Sequence, residues 1–143
     1  MNKTFFKIYG NLSQSELNDH LFVACQQSNL ELVKYLLTSP ELKIHADITH
    51  NENTPNYILT TACYYKNLDI IEYLLTSPDL KIKANIHSND DNPLKTACRE
   101  GNLEVVKYLL ISPKLKDKAN IYAHESYMFN ISCLREKLEV IKY

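Results

Sequence analysis

Glycine occurs only twice in the 143 residues, at Gly10 and Gly101, and tryptophan is absent. Two isolated glycines cannot build a phosphate-cradling loop, which needs several close positions where backbone N–H groups can approach an anion. No Ser or Cys stands in the glycine-flanked setting of a nucleophile elbow, and the carboxylates are mostly single. Catalysis therefore has no foothold, and the chain is read as a non-enzyme that needs no cofactor, with an enzyme built from dispersed active-site residues as the less favoured alternative. No stretch approaches the roughly 20 apolar residues of a membrane-spanning helix, and the opening "MNKTFFKIYGN" has its apolar run broken by Lys7, too early for a signal peptide. A cytoplasmic location is the expectation, although a secreted effector without a classical signal peptide is compatible with the same residues. Charge of one sign is also lacking. The formal net charge of -1 gives no global pull toward nucleic acid or an anionic membrane, so neither is expected as a partner.

What the chain has is repetition, on a composition of 45% hydrophobic and 23% charged residues that suits a globular protein. "LELVKYLLTSPELKIHADI" (Leu30 to Ile48) returns as "LDIIEYLLTSPDLKIKANI" (Leu68 to Ile86) and as "LEVVKYLLISPKLKDKANI" (Leu103 to Ile121). The first and third copies agree at 13 of 19 positions and the first and second at 12, which chance does not produce. A fourth copy begins at "LEVIKY" (Leu138 to Tyr143). Similarity at a fixed spacing is the mark of a stacked repeat architecture.

Within one copy, Leu30, Val33 and Leu37 fall at helical spacing beside a second row, Leu32 and Leu36, and Ser39-Pro40 ends the run. Ahead of each copy lies another short amphipathic element: Leu17, Leu21, Ala24 and Cys25, then Leu59, Ala62 and Cys63, then Leu94, Ala97 and Cys98. Small residues at Ala62 and Ala97 let neighbouring helices approach. Between the two helices there is room only for a tight turn, so each unit reads as an antiparallel helical hairpin. The polar stretches "THNENTPNY" and "HSNDDN" are loops at one edge.

The third copy, "NPLKTACREGNLEVVKYLL", carries the closest likeness to a known pattern. Pro93, Leu94, Ala97, Gly101, Leu103, Val105, Val106, Leu109 and Leu110 take positions of T-P-L-H-x-A-A-x-x-G-H-x-x-(I/V)-V-x-x-L-L. From about Ser13 onward the chain resembles the ankyrin-repeat family. The resemblance implies an all-α, ankyrin-type solenoid of stacked helix-turn-helix units with short irregular fingers. One domain spans residues 1–143, with a lead-in over 1–12 and repeats at about 13–49, 50–87, 88–122 and 123–143, the last incomplete. The polar lead-in is expected to cap the first pair, with Ser13 and Glu16 forming a capping box.

The departures from the family pattern follow one rule. Cys25, Cys63, Cys98 and Cys133 are 38, 35 and 35 residues apart, against about 33 for the family. An inserted "SPxLK" bulge lengthens every unit by five residues, and the finger between Ala84 and Pro93 is trimmed by three. The inter-helix glycine survives only as Gly101, with Ser28, Lys66 and Glu136 elsewhere. The following Asn29, Asn67 and Asn102 tolerate a left-handed conformation, so the turn is expected to be kept.

Equivalent cysteines on helices packed about 8–10 Å apart miss the roughly 7 Å reach of a disulfide. There is no CxxC pair, so the cysteines read as small buried hydrophobes suited to a reducing compartment. His50, His87 and His124 lie four, three and five residues after the preceding repeat alanine, out of register, and no metal site is assigned. Lys43, Lys81 and Lys116, with Lys83, Lys114 and Lys118, form a basic edge, and Glu52, Asp90, Asp91 and Glu125 stand at finger tips. A solvated face accounts for both.

Tyr35, Tyr73, Tyr108 and Tyr143 share one slot and read as packing residues. Tyr64 and Tyr65 do not recur: their slots hold Gln26 and Gln27, Arg99 and Glu100, Leu134 and Arg135. Variation amid repetition marks positions that packing does not dictate. In the resembled family these slots line the concave groove that contacts partner proteins. The resemblance therefore implies binding of a protein partner through Gln26, Gln27, Tyr64, Tyr65, Arg99 and Glu100, with finger residues Asn51, Glu52, Asn53, Asn89, Asp90 and Asp91. Modules of this kind serve as adaptors, inhibitors or effectors. Because the fourth copy stops at Tyr143, a second expectation is a fragment of a longer array, or end-to-end self-association through that incomplete unit.

Overall fold

A computed structural model describes residues 3–49 and 57–120. Among the described residues there are seven helices and no strand: α1 (Lys3–Tyr9), α2 (Gln14–Gln26), α3 (Leu30–Thr38), α4 (Tyr57–Tyr64), α5 (Leu68–Thr76), α6 (Ser88–Arg99) and α7 (Leu103–Ile111). The first finger, with His50, Asn51, Glu52 and Asn53, lies outside the described residues. So do the fourth unit, with His124, Glu125, Cys133, Glu136 and Tyr143, and the self-association expected through it.

Helices α2 and α3, α4 and α5, and α6 and α7 pair as hairpins, and α2, α4 and α6 pack side by side with α4 in the middle. The two rows of the amphipathic pattern are the reason. Val33, Leu36, Ile70, Ile71, Leu74, Val105, Val106 and Leu109 are at most 1% exposed, as are Leu17, Leu21, Leu59 and Leu94 of the first helices. Ala24, Ala62 and Ala97 are fully buried beside the cysteines, and their small side chains let α2, α4 and α6 approach one another. Cys25, Cys63 and Cys98 are buried and unpaired. Burial disfavours their thiolates and pushes Cys25 up to about 12 and Cys98 up to about 11.

The inserted bulge is built the same way three times. Ser39, Ser77 and Ser112 leave the helix in extended conformation, with ψ of 126°, 129° and 128°, because the proline that follows excludes the helical region. Each serine Oγ then accepts a hydrogen bond from the amide two residues on, at 3.2–3.3 Å. Leu42, Leu80 and Leu115 turn into the core. The bulge closes where the amides of Ala46, Ala84 and Ala119 donate to Leu36, Leu74 and Leu109 carbonyls at 2.9–3.0 Å. An insertion with its own buried leucine and its own backbone closure leaves the helices where they were.

The inter-helix turn corrects the sequence expectation in one respect. The left-handed residue is Ser28, Lys66 or Gly101, at φ of 58°, 63° and 61°, and not the asparagine that follows. Asn29 and Asn102 have φ of -89° and act as N-caps, accepting from the amides of Leu32 and Val105. Asn67 makes no such cap. Its Nδ2 donates 2.5 Å back to the Cys25 carbonyl, and its Oδ1 accepts from Ser28 Oγ, so it ties the second unit to the end of α2.

The capping box at the start of α2 is present, with Ser13 N donating to Glu16 Oε2 at 2.8 Å and Glu16 N to Ser13 Oγ at 3.3 Å. The cap ahead of it is aromatic rather than polar. Phe5 and Tyr9 of α1 lie 5.1 and 6.3 Å from the Tyr35 ring, and Tyr9 is 5.1 Å from the His20 ring. An apolar helix end needs apolar cover, and the polar residues of 1–12 do not supply it.

Two stability outcomes follow from these geometries. Lys66→Gly removes a side chain from a left-handed position and is expected to raise unfolding free energy by about 1 kcal/mol, while Gly101→Lys lowers it by a similar amount. Leu80→Ala empties the core of the bulge and is expected to cost about 2–4 kcal/mol. Urea unfolding followed by circular dichroism checks both. An unchanged midpoint for Lys66→Gly would contradict the turn geometry.

Candidate functional site

The exposed side of the first helices carries a cleft of about 330 Å³. Helix α2 contributes Phe22 and Gln26, α4 contributes Tyr57, Thr60, Thr61, Tyr64 and Tyr65 from its length and its end, and α6 contributes Thr96 and Arg99. Helical spacing places them there: positions 57, 61, 64 and 65 are one stripe of α4, and 22 and 26 stand one turn apart on α2. Phe22 and Tyr57 stack at 5.1 Å with their planes 20° apart, which joins the first unit to the second. Tyr64 and Tyr65 meet edge to face at 4.9 Å, and Gln26 Nε2 donates to Tyr65 Oη at 3.2 Å. Tyr64 remains 47% exposed, Tyr65 42% and Tyr57 36%.

Of the six expected groove residues, the structure brings Gln26, Tyr64, Tyr65 and Arg99 together. Gln27 is exposed at the end of α2 outside the cleft lining, and Glu100 is half-buried, receiving Arg99 Nε at 3.2 Å. Phe22, Tyr57, Thr60, Thr61 and Thr96 were missed. The same signal would have found the aromatic pair one turn earlier, where Phe22 aligns with Thr60 and Lys95, and Tyr57 with Asp19 and Asn92.

The second finger departs from expectation. Asn89, Asp90 and Asp91 form a left-handed turn, at φ of 48°, 62° and 56°, before right-handed helix resumes around Pro93. Asn and Asp tolerate this conformation better than other side chains. Asn89 and Asp90 are exposed, and Asp90 pairs with Lys95 at 2.9 Å. Asp91 is not a finger-tip group: it is buried, with Oδ1 2.6 Å from His87 Nδ1. His87 Nε2 lies 3.2 Å from Asp117 in the third bulge, so the imidazole bridges two consecutive units. The hydrogen bond that His87 donates to Asp91 is the main reason its pKa stands above the usual value, with Asp117 adding to it.

Two other hollows are open to solvent. One of about 400 Å³ lies between the first and second bulges, beside Ile48, Leu80 and Ile82. The other, beside Lys34, Glu72 and Tyr73 on the second helices, measures about 330 Å³. Neither presents a cluster of exposed aromatic rings. Among the described residues no group of three or more His, Cys, Asp or Glu side chains could hold a metal ion, and no helix is long and apolar enough to cross a membrane.

A family model described as ankyrin repeats (3 copies) matches residues 21–121. The chain belongs to the ankyrin-repeat family. No match is found among curated proteins or among solved structures. Ankyrin repeats are generally protein–protein interaction modules and are typically non-enzymatic. In these ankyrin repeats the cleft is formed mostly by slots that vary from one unit to the next, with Thr61 and Thr96 as a slot that repeats.

A raised histidine pKa fixes the sign of a pH effect. The folded state holds the His87 proton more tightly than the unfolded chain, so the bridge contributes fully below the ordinary histidine pKa. That contribution is lost as pH rises through the raised folded value. The stability difference between the native chain and His87→Gln is therefore expected to be larger at pH 5.5 than at pH 8.5. It should stay at about 1 kcal/mol or less, because His87 and Asp117 are open to water. Parallel urea titrations at the two pH values measure it, and a difference that grows with pH would contradict the bridge.

Proposed function

We propose that the chain binds a protein partner through the first-helix face and performs no chemistry of its own. The observation that carries this reading is the set of three tyrosines left at 36–47% exposure around one cleft, with Phe22 stacked beside them. Packing does not require them, since their slots hold polar or charged residues in the neighbouring units. A contiguous aromatic patch facing water is costly to keep on a surface without use. Tyr and Arg are also the side chains that most often anchor interfaces, because a large rigid group loses little rotamer freedom when it docks. The cleft gathers no carboxylate, histidine or cysteine among the described residues, which is the composition of a contact surface rather than a reaction centre. The unpaired buried cysteines suit a reducing compartment, and the cytoplasm is the location we propose.

The test is partner capture from host lysate by the native chain and by a Tyr64→Ala, Tyr65→Ala, Arg99→Ala variant of unchanged circular dichroism. Loss of a captured protein by the variant is the expected outcome. Interface anchors of this kind are worth about 2 kcal/mol each or more, roughly a 30-fold change in affinity. Equal retention would move the binding face to the fingers or the bulge edge and sink the cleft as the site.

A further inference from the structure

This inference rests on the cleft being the binding face and names what enters it. A docking helix lays an apolar face into an apolar groove, whereas this open cleft of about 330 Å³ is lined by aromatic rings together with three threonines, a glutamine and an arginine. An extended segment can be a β-strand or polyproline II. A docking strand needs a row of unpaired backbone N–H and C=O groups to pair with. The walls here are the helices α2, α4 and α6, and among the described residues no strand edge lines the cleft. Polyproline II makes no backbone ladder, keeps its own backbone solvated and loses little entropy on docking, and aromatic-lined grooves are what receive it.

Charge narrows the choice further. Arg99 is the one cation lining the cleft, and no carboxylate lines it among the described residues. Glu100 takes the Nε edge of that guanidinium at 3.2 Å, and Arg99 is an exposed side chain. A guanidinium offers five donors in a planar fork, so a second carboxylate can be taken on the open edge. We propose that the cleft receives a proline-rich, acidic segment of a partner protein, with prolines against Phe22, Tyr57, Tyr64 and Tyr65 and a Glu or Asp carboxylate on Arg99. Three residues per turn set the pattern. An acidic residue at every third position forms one row toward Arg99 and leaves the prolines for the rings.

The probe is a fluorescein-labelled peptide of repeated Pro-Pro-Glu triplets, titrated with the native chain and read by polarisation, beside Pro-Pro-Gln, Pro-Pro-Lys and Ala-Ala-Glu peptides and an oligouridylate. Saturable binding of the Pro-Pro-Glu peptide below about 1 mM, at least tenfold tighter than the others, is expected. Tyr64→Ala with Tyr65→Ala should abolish it. Arg99→Gln should weaken it at least tenfold while leaving the Pro-Pro-Gln peptide unchanged, an outcome that loss of folding could not mimic. Equal binding of Ala-Ala-Glu would overturn the polyproline part, and equal binding of Pro-Pro-Lys the acidic part. Preference for the oligouridylate would replace the proposal with nucleic-acid stacking. Should no peptide bind while the capture experiment still shows a partner lost by the cleft variant, this proposal fails and the protein-binding reading stands. Should the cleft variant also retain its partner, both fail.

Discussion

Everything in this molecule depends on the fact that a helical hairpin of some twenty residues has no second layer of its own. Its apolar face must be covered by the next hairpin or remain in water. Helix α4 is the clearest case, because it is flanked on both sides by α2 and α6 and its Leu59, Ala62 and Cys63 are removed from solvent. The same constraint explains the aromatic helix α1, whose Phe5 and Tyr9 cover the outer side of the first hairpin at Tyr35. It also explains Asn67, which gives up its own helix cap to satisfy a carbonyl of the preceding unit. At Asn67 the bond between units takes precedence over the cap within its own unit.

Insertions are tolerated only where that constraint is weakest. The Ser-Pro bulge lies beyond the second helix, closes on a carbonyl of that helix and carries its own buried leucine, so its five extra residues are absorbed within each unit. The trimmed second finger meets a harder problem. It crosses from Ala84 to Pro93 through three successive left-handed residues, and Asn-Asp-Asp is a run of side chains that can stand there. Burial of Asp91 comes with that geometry, and His87 provides its partner.

The helices were legible in the sequence because they are long enough to show their period, and because Ser39, Ser77 and Ser112 each stand before a proline. The turn was legible as a turn but misassigned by one residue. Asparagine is versatile enough to be read either as a left-handed residue or as a cap, and only the backbone angles separate the two. The cleft was partly legible: Tyr64 and Tyr65 stood out because neighbouring units differ there. Phe22 and Tyr57 differ between units just as much, but they fall one and two turns earlier, ahead of the small pair that the expected groove slots follow. The inward turn of Asp91 had no sequence signal, since an acidic pair in a polar loop reads as solvated unless the path of the backbone is known.

The buried thiols give the stack a built-in record of its own opening. Cys25, Cys63 and Cys98 sit at equivalent depth in three successive units, and their raised pKa values keep them as unreactive thiols while the units stay closed. A thiol that becomes reactive marks the hairpin that has swung away from its neighbour. Alkylation counted cysteine by cysteine would thus reveal whether the array frays from one end or parts in the middle. The described residues carry three such markers without any engineered label.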